Sequence, residues 1–347
     1  MRPCIPTVDQ VDPYLRGMDD RHMYSNFGPL VEDVERRYAL RFGVPAESVV
    51  SCSSATLGLQ GAIALSPARR FHCPAWTFPA SPLAVVNAGK ELSFCDVSAS
   101  TWQIQAPPPA EPDGLLPVLP FGAEIDLATW KGWSEVVVDA AASGGALTRD
   151  LSGLPRGWCV VISLHATKVL GVGEGGLVVF GDPERAERFR AYCNLGFEDR
   201  RESDFLGTNA KMSEIVAAYA LAALDQWDVE ESEWRAARRL VREAEGALGL
   251  TSACSDYPGV NPYWILHLPN PTAAAEMESR LAADGIGSRR WWPNSCARMP
   301  AFAGTWGDVS TPVTDGLAAT AIGMPFFRGL DERMVDRVVT SATPRNR

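Results

Sequence analysis

Histidine is scarce in this chain. There are four in 347 residues, with no H-E-x-x-H or H-x-x-x-H spacing, so the usual basis for a zinc site is missing and no metal is expected. Eight cysteines occur without a single C-x-x-C pair. With no apolar signal segment in the opening Met-Arg-Pro-Cys-Ile-Pro, they read as reduced, mostly buried thiols of a cytoplasmic protein. No apolar run approaches the length of a membrane span, so no membrane partner is expected. Basic clusters are missing too: 32 Lys and Arg stand against 42 Asp and Glu, a net charge of −10. Nucleic acid would want a basic face, and none is expected as a partner. Internal repeats and low-complexity tracts are also absent. What remains is 46% apolar and 21% charged, an ordinary globular composition long enough for about two domains.

The stretch that carries chemistry runs from Cys159 to Phe180. Two apolar, β-branched-rich runs, 159–164 and 177–180, read as buried strands on either side of a turn. The turn holds Ser163, His165 and Lys168, a hydroxyl, an imidazole and an amine within six residues. A lysine held against apolar strands is a candidate Schiff-base nucleophile. The following Gly171-Val-Gly-Glu-Gly-Gly176 matches G-x-G-x-x-G. That fingerprint must open a helix, whereas here it leads into a strand, so a dinucleotide site is rejected.

Other stretches supply candidates in order. Val49–Thr56 passes from a strand through small residues into a helix, which puts Ala55 and Thr56 at a helix N-terminus suited to phosphate. An ordinary Ser/Thr cap is the plain alternative. The stretch Phe71–Ala80 places Trp76, Thr77 and Phe78 before a strand over 92–97, and Leu115–Pro120 reads as a further strand. Glu135–Asp139 is a buried strand ending in a carboxylate, followed by Ala141 and Ala142; a carboxylate there sits at the ligand edge of a parallel sheet. Helices are expected over 183–193, 215–227, 230–247 and 273–284, with a strand over 263–268. Arg289 and Arg290, ahead of two tryptophans, could hold a diphosphate or a carboxylate.

Ser-x-His-x-x-Lys followed by Gly-Glu-Gly-Gly resembles the DegT/StrS-type sugar aminotransferases, which use pyridoxal 5'-phosphate on the aspartate-aminotransferase fold. The resemblance spans nearly the whole chain. It implies that Lys168 carries the cofactor, that Ser163 is part of the cofactor site, and that Asp139 holds its ring proton. Ala55 and Thr56 would meet its phosphate and Ala141 its ring face. Phe78, or Trp76 beside it, would stack on the ring. Gly207-Thr-Asn209-Ala-Lys211-Met-Ser-Glu214 resembles the segment whose Asn reaches the partner subunit's phosphate, which Asn209 would do here. His165, Arg289 and Arg290 become substrate-binding candidates. Four positions depart from the family pattern: Ala142 where Gln or His is common, Gly144 where His is, Lys211 for Arg, and Cys296 near an expected His.

The fold class implied is α/β, fold type I of the pyridoxal phosphate enzymes. It has a mainly parallel seven-stranded sheet with helices on both faces (1–235) and a smaller α+β C-terminal domain (236–347). The function implied is transfer of an amino group from an amino acid, L-glutamate in most of the family, to a keto group of a nucleotide-linked deoxysugar. The mechanism would be ping-pong, in a homodimer with shared active sites. A keto-cyclitol substrate, a sugar dehydratase and a non-catalytic regulator on the same fold are the alternatives.

Overall fold

Val136-Val-Val-Asp139 and Trp158–Ser163 are buried along their whole length, which is the pattern of strands covered on both faces. A computed structural model describes residues 2–145, 150–250, 257, 259–303 and 309–344; Ala146, the last of the small residues after Asp139, lies outside them. Among the described residues, seven strands form one sheet: β1 (Val49–Cys52), β2 (Arg70–Pro74), β3 (Glu91–Cys95), β4 (Asp113–Leu115), β5 (Val136–Asp139), β6 (Trp158–Ser163) and β7 (Gly176–Phe180). The order is β1-β7-β6-β5-β4-β2-β3. β3, β2, β4, β5 and β6 run parallel, and β7 is antiparallel to both of its neighbours.

The two faces are covered by different helices. These are α1 (Val8–Arg21), α2 (Pro29–Phe42), α3 (Ala55–Ala64), α4 (Ala80–Asn87), α5 (Pro183–Cys193), α6 (Glu214–Asp225) and α7 (Trp227–Leu248). Alternation along the strands decides which side chain goes where. Val136, Val138, Val160, Ile162, Leu177 and Val179 join one cluster with residues of α1, α2, α6 and α7. Val137, Cys159, Val161, Val178 and Phe180 join a second with α3, α4 and α5.

A three-stranded antiparallel sheet follows, built from β8 (Ile265–His267), β9 (Arg289–Arg290) and β10 (Ala321–Gly323) in the order β8-β10-β9. It is accompanied by α8 (Pro271–Ala283), α9 (Pro312–Thr320) and α10 (Glu332–Ala342). No described helix is long and apolar enough to cross a membrane. Position 235, the expected end of the first domain, falls inside α7.

The strand expected over Leu115–Pro120 is instead Asp113–Leu115. Pro117 and Pro120 have no N–H to give a ladder, and past Leu115 the segment keeps only a bridge from Val118 to Asp139. The strand expected over 263–268 is likewise trimmed to Ile265–His267.

One buried carboxylate ties the N-terminal region to the sheet layer. Glu214, the first residue of α6, is fully buried. Its oxygens accept the Leu30 and Val31 amides at 2.9 Å each, capping the first turn of α2 from across the fold. A Cβ on Gly28 would lie 2.8 Å from the Glu214 carboxyl carbon, so the glycine is what lets the cap close. Glu214→Gln exchanges one acceptor oxygen for a donor facing an N–H. We expect it to lower unfolding stability by about 2 kcal/mol with an unchanged denaturant slope, measured by urea titration.

Candidate active site

The carboxyl ends of β5 and β6 open onto one cavity of about 450 Å³, where the ligand edge of a parallel sheet is expected. Asp139 ends β5, and Lys168 lies on the turn after β6; both line this cavity. The turn is held by its own backbone: Lys168 N–H donates to the His165 carbonyl at 2.8 Å, and Val172 N–H to Leu164 at 2.8 Å. A Cβ on Gly171 would lie 2.7 Å from the His165 carbonyl oxygen, so the chain can double back only with glycine there. Lys168 Nζ donates to the Tyr263 hydroxyl at 2.9 Å.

Asp139 is 5% exposed. Burial pushes its carboxyl above the ordinary carboxylate value, against the opposing pull of the Ser81 hydroxyl, the Ala141 amide and the Lys168 charge. Oδ2 accepts from Ser81 Oγ at 2.6 Å and Oδ1 from Ala141 N at 3.0 Å. At the cavity's other end α3 begins. Ser54 caps it by accepting the Leu57 amide at 3.2 Å. The Ala55 and Thr56 amides make no hydrogen bond to another described residue, as the first N–H groups of a helix do. Both residues line the cavity, as do Phe78, Ala141, Ser163 and His165.

The sequence candidates separate here. Phe78 is 56% exposed on the cavity wall, whereas Trp76 is 1% exposed. Trp76 packs edge-on to Trp102 and Trp292 in an aromatic cluster behind the wall; of the two, Phe78 is the one able to meet a ligand. Ser163 Oγ accepts the His165 amide at 3.2 Å. The Thr167 amide donates to His165 Nδ1 at 3.2 Å, which leaves Nε2 as the protonated nitrogen, 3.6 Å from Glu174. Arg289 lines the cavity, its guanidinium 4.4 Å from the Trp291 ring. Arg290 does not: alternation on β9 turns it away, where Nε meets Glu278 at 2.8 Å and the guanidinium also reaches the Ala319 carbonyl. The alternative of Arg290 as substrate ligand is corrected accordingly.

Asn209 is exposed and lies outside this cavity, bridged to Asn194. Lys211 donates to Asn194 Oδ1 at 2.9 Å. Cys296 is buried with its thiol on the Thr77 carbonyl at 3.2 Å, and burial pushes it up to about 12; it does not face the cavity. Ala142 does, while Gly144 packs 3.3 Å (as a built Cβ) from Ile162.

Three cavity features escape a reading by local motif. Tyr263 arrives from 95 residues away. Ser81 could have been found as the residue four after Thr77, in the first turn of α4. Phe121 stacks on Trp292 at 4.9 Å and 19°, and both take left-handed backbone angles (φ 53° and 46°). Strain of this kind collects at functional sites.

Against known proteins, the sequence profile of the DegT/DnrJ/EryC1/StrS aminotransferase family matches residues 8–343. A dTDP-4-amino-4,6-dideoxy-D-glucose transaminase of Shigella dysenteriae is 28% identical over 65% of this chain and 64% of its own length. A dTDP-3-amino-3,4,6-trideoxy-alpha-D-glucose transaminase of Streptomyces venezuelae is 29% identical over 65% and 61%. The alignments thus span under two thirds of these relatives. The crystal structure of DesI in the presence of its TDP-sugar product superposes with a TM-score of 0.84 at 28% identity, covering 98% of this chain and 92% of that one.

Gly176, at the start of β7, backs the helix end. A Cβ there would lie 2.6 Å from the Ala55 nitrogen and 2.8 Å from the Ser54 carbonyl carbon. Backbone cannot swing aside as a side chain can. Gly176→Ala should therefore lift the start of α3, destabilise the fold by about 1–3 kcal/mol and weaken phosphate-ester binding about tenfold. Thermal unfolding and ligand titration check the two effects.

Proposed function

This chain belongs to the DegT/DnrJ/EryC1/StrS aminotransferase family, and from that premise we propose that it is a pyridoxal phosphate-dependent sugar aminotransferase. The amino group would come from an amino acid, L-glutamate, and go to a keto group of a nucleotide-linked deoxysugar in two half-reactions. The observation that carries this reading is the pairing of a buried carboxylate with an amine across one cavity. Asp139 ends β5, Lys168 lies on the turn after the adjacent parallel strand β6, and both line that space.

The residues present fit the cofactor part by part. Free amides at the start of α3 suit a phosphate dianion, and Asp139 suits a protonated ring nitrogen. Lys168 Nζ suits an aldehyde carbon, and Phe78 and Ala141 offer flat surfaces to either side. When bound, pyridoxal phosphate supplies an electron sink for charge developing at a substrate carbon.

The protein's own groups then divide the work. Asp139, with two acceptor positions already filled by Ser81 and Ala141, would use its remaining lone pairs to hold the proton of the ring nitrogen. Lys168 Nζ would take the proton from the α-carbon of an amino donor and give it up again within the first half-reaction, and in the second would deliver a proton to the carbon of the acceptor. Tyr263 gives that amine a resting partner when it is free. Arg289 supplies a fixed cation for a carboxylate or a diphosphate. We further propose a cytoplasmic homodimer divided near 235 into two units. Asn209 would complete the partner's site: it is exposed, and Leu206 near it is 95% exposed.

Borohydride reduction of the cofactor-loaded protein should fix a pyridoxyl group on the peptide containing Lys168, and Lys168→Ala should abolish both the label and turnover. Loading the aminated form and screening keto-sugar nucleotides for return of the visible absorbance identifies the acceptor. A label on a different lysine, or none in the wild-type protein, overturns the assignment.

A further inference from the structure

Two hydroxyls form a hydrogen-bonded chain with Asp139. Thr77 and Ser81 are both fully buried. Thr77 Oγ1 is 2.9 Å from Ser81 Oγ, and Ser81 Oγ is 2.6 Å from Asp139 Oδ2. We propose that Thr77 and Ser81 form a one-way hydroxyl relay that holds Asp139 as an anion and aims its free lone pairs into the cavity, Ser81 acting as the positioning residue. The inference deepens the reading above and rests on it for the identity of the group that Asp139 meets.

The direction of the relay follows from proton counting. An ionised carboxylate only accepts, so the single Ser81 proton must go to Oδ2. Ser81 Oγ is then left as an acceptor, and Thr77 is the donor that fills it. A protonated Asp139 would weaken this order: a proton on Oδ2 would turn Ser81 toward its other acceptor, the Phe78 carbonyl at 3.4 Å, and a proton on Oδ1 would leave Ser81 only the poorer acceptor of a neutral carbonyl. The bond that ends the chain is therefore strongest with Asp139 charged.

The relay is needed because the surroundings disfavour that charge. Burial raises the Asp139 carboxyl most; among the opposing influences the Ser81 hydroxyl comes first, ahead of the Ala141 amide and Lys168. The titratable groups facing Asp139 are Lys168, on the turn after β6, and Cys73 on β2, whose thiol burial holds well above its ordinary value and so neutral. α4 contributes Ser81 itself, fixed in its first turn by the bond from its amide to the Phe78 carbonyl at 3.2 Å. A hydrogen bond to a charged acceptor in a site this dry is stronger than one in water.

The sign of the pH effect separates the relay from simple packing. Since burial raises the folded value of Asp139, ionising it costs folding stability, and the cost appears as pH rises from the ordinary carboxylate value through the raised one. Ser81 lowers that cost only where Asp139 is charged. In cofactor-free protein, Ser81→Ala should therefore lower the thermal midpoint more at about pH 8 than at about pH 5. Ser81→Thr should restore the wild-type profile, and Thr77→Val, which keeps the shape, should give a smaller loss of the same sign. In the Asp139→Asn background, the Ser81→Ala shift should no longer depend on pH. A pH-independent deficit in Ser81→Ala, or an undiminished pH dependence in the double variant, overturns the relay. With pyridoxal phosphate, Ser81→Ala should bind about tenfold more weakly than wild type. Wild-type protein that binds no pyridoxal phosphate would overturn the proposed function, while the cofactor-free profiles would still decide the relay.

Discussion

A carboxylate at the end of three consecutive valines is a costly thing to bury, and much of this fold is arranged around making it tolerable. Asp139 leaves water because β5 lies in the middle of a sheet covered on both faces. An isolated charge there would be neutralised by protonation. It is met instead by the hydroxyl of Ser81 from α4, the amide of Ala141 from the chain just beyond β5, and the charge of Lys168 from the turn after β6. These partners come from three separate segments, so the site exists only when the sheet and its covering helices are assembled.

Lys168 shows the complementary constraint. Its turn must reverse between β6 and β7 within a dozen residues, and the close approach of Gly171 to the His165 carbonyl makes the reversal possible. Gly176 then lets the next strand pass against the start of α3. Of the three glycines that mimic a dinucleotide fingerprint, Gly171 and Gly176 are therefore packing glycines, while Gly173 takes a left-handed φ of 114° with open space around it. The close approaches of Gly171 and Gly176 help bring the amine and the helix end to the cavity that Asp139 lines.

How legible the site was depended on how local each contact is. The Lys168 turn, the β5 carboxylate and the α3 entry are each written in one short segment, legible as continuous apolar, β-branched runs and small-residue turns. Tyr263 is 95 residues from the amine it bonds, and no spacing rule reaches that far; Ser81 is 58 residues from Asp139, and its one local signal is its place four residues after Thr77. Arg289 and Arg290 were indistinguishable as adjacent letters, yet successive strand residues face opposite ways. Only the pairing of β9 with β10 decides which one meets the cavity. The segment after Leu115 was overextended because its apolar run outweighed the two prolines that remove ladder donors.

Of the four departures from the family pattern, only Ala142 lines the cavity, and packing gives it a context. Position 142 carries alanine where a longer polar side chain is common, and Ala142 packs against the aromatic cluster that holds Trp292. Trp292 is itself pressed onto Phe121, both on left-handed backbone, and Trp291 stands edge-on to Phe121 and to Tyr263. A side chain with polar ends at 142 would project into this apolar face, so the small residue and the large rings suit one another. The same wall carries Tyr263, whose hydroxyl meets Lys168. The aromatic wall that accepts a small residue at 142 therefore also sets where the amine rests.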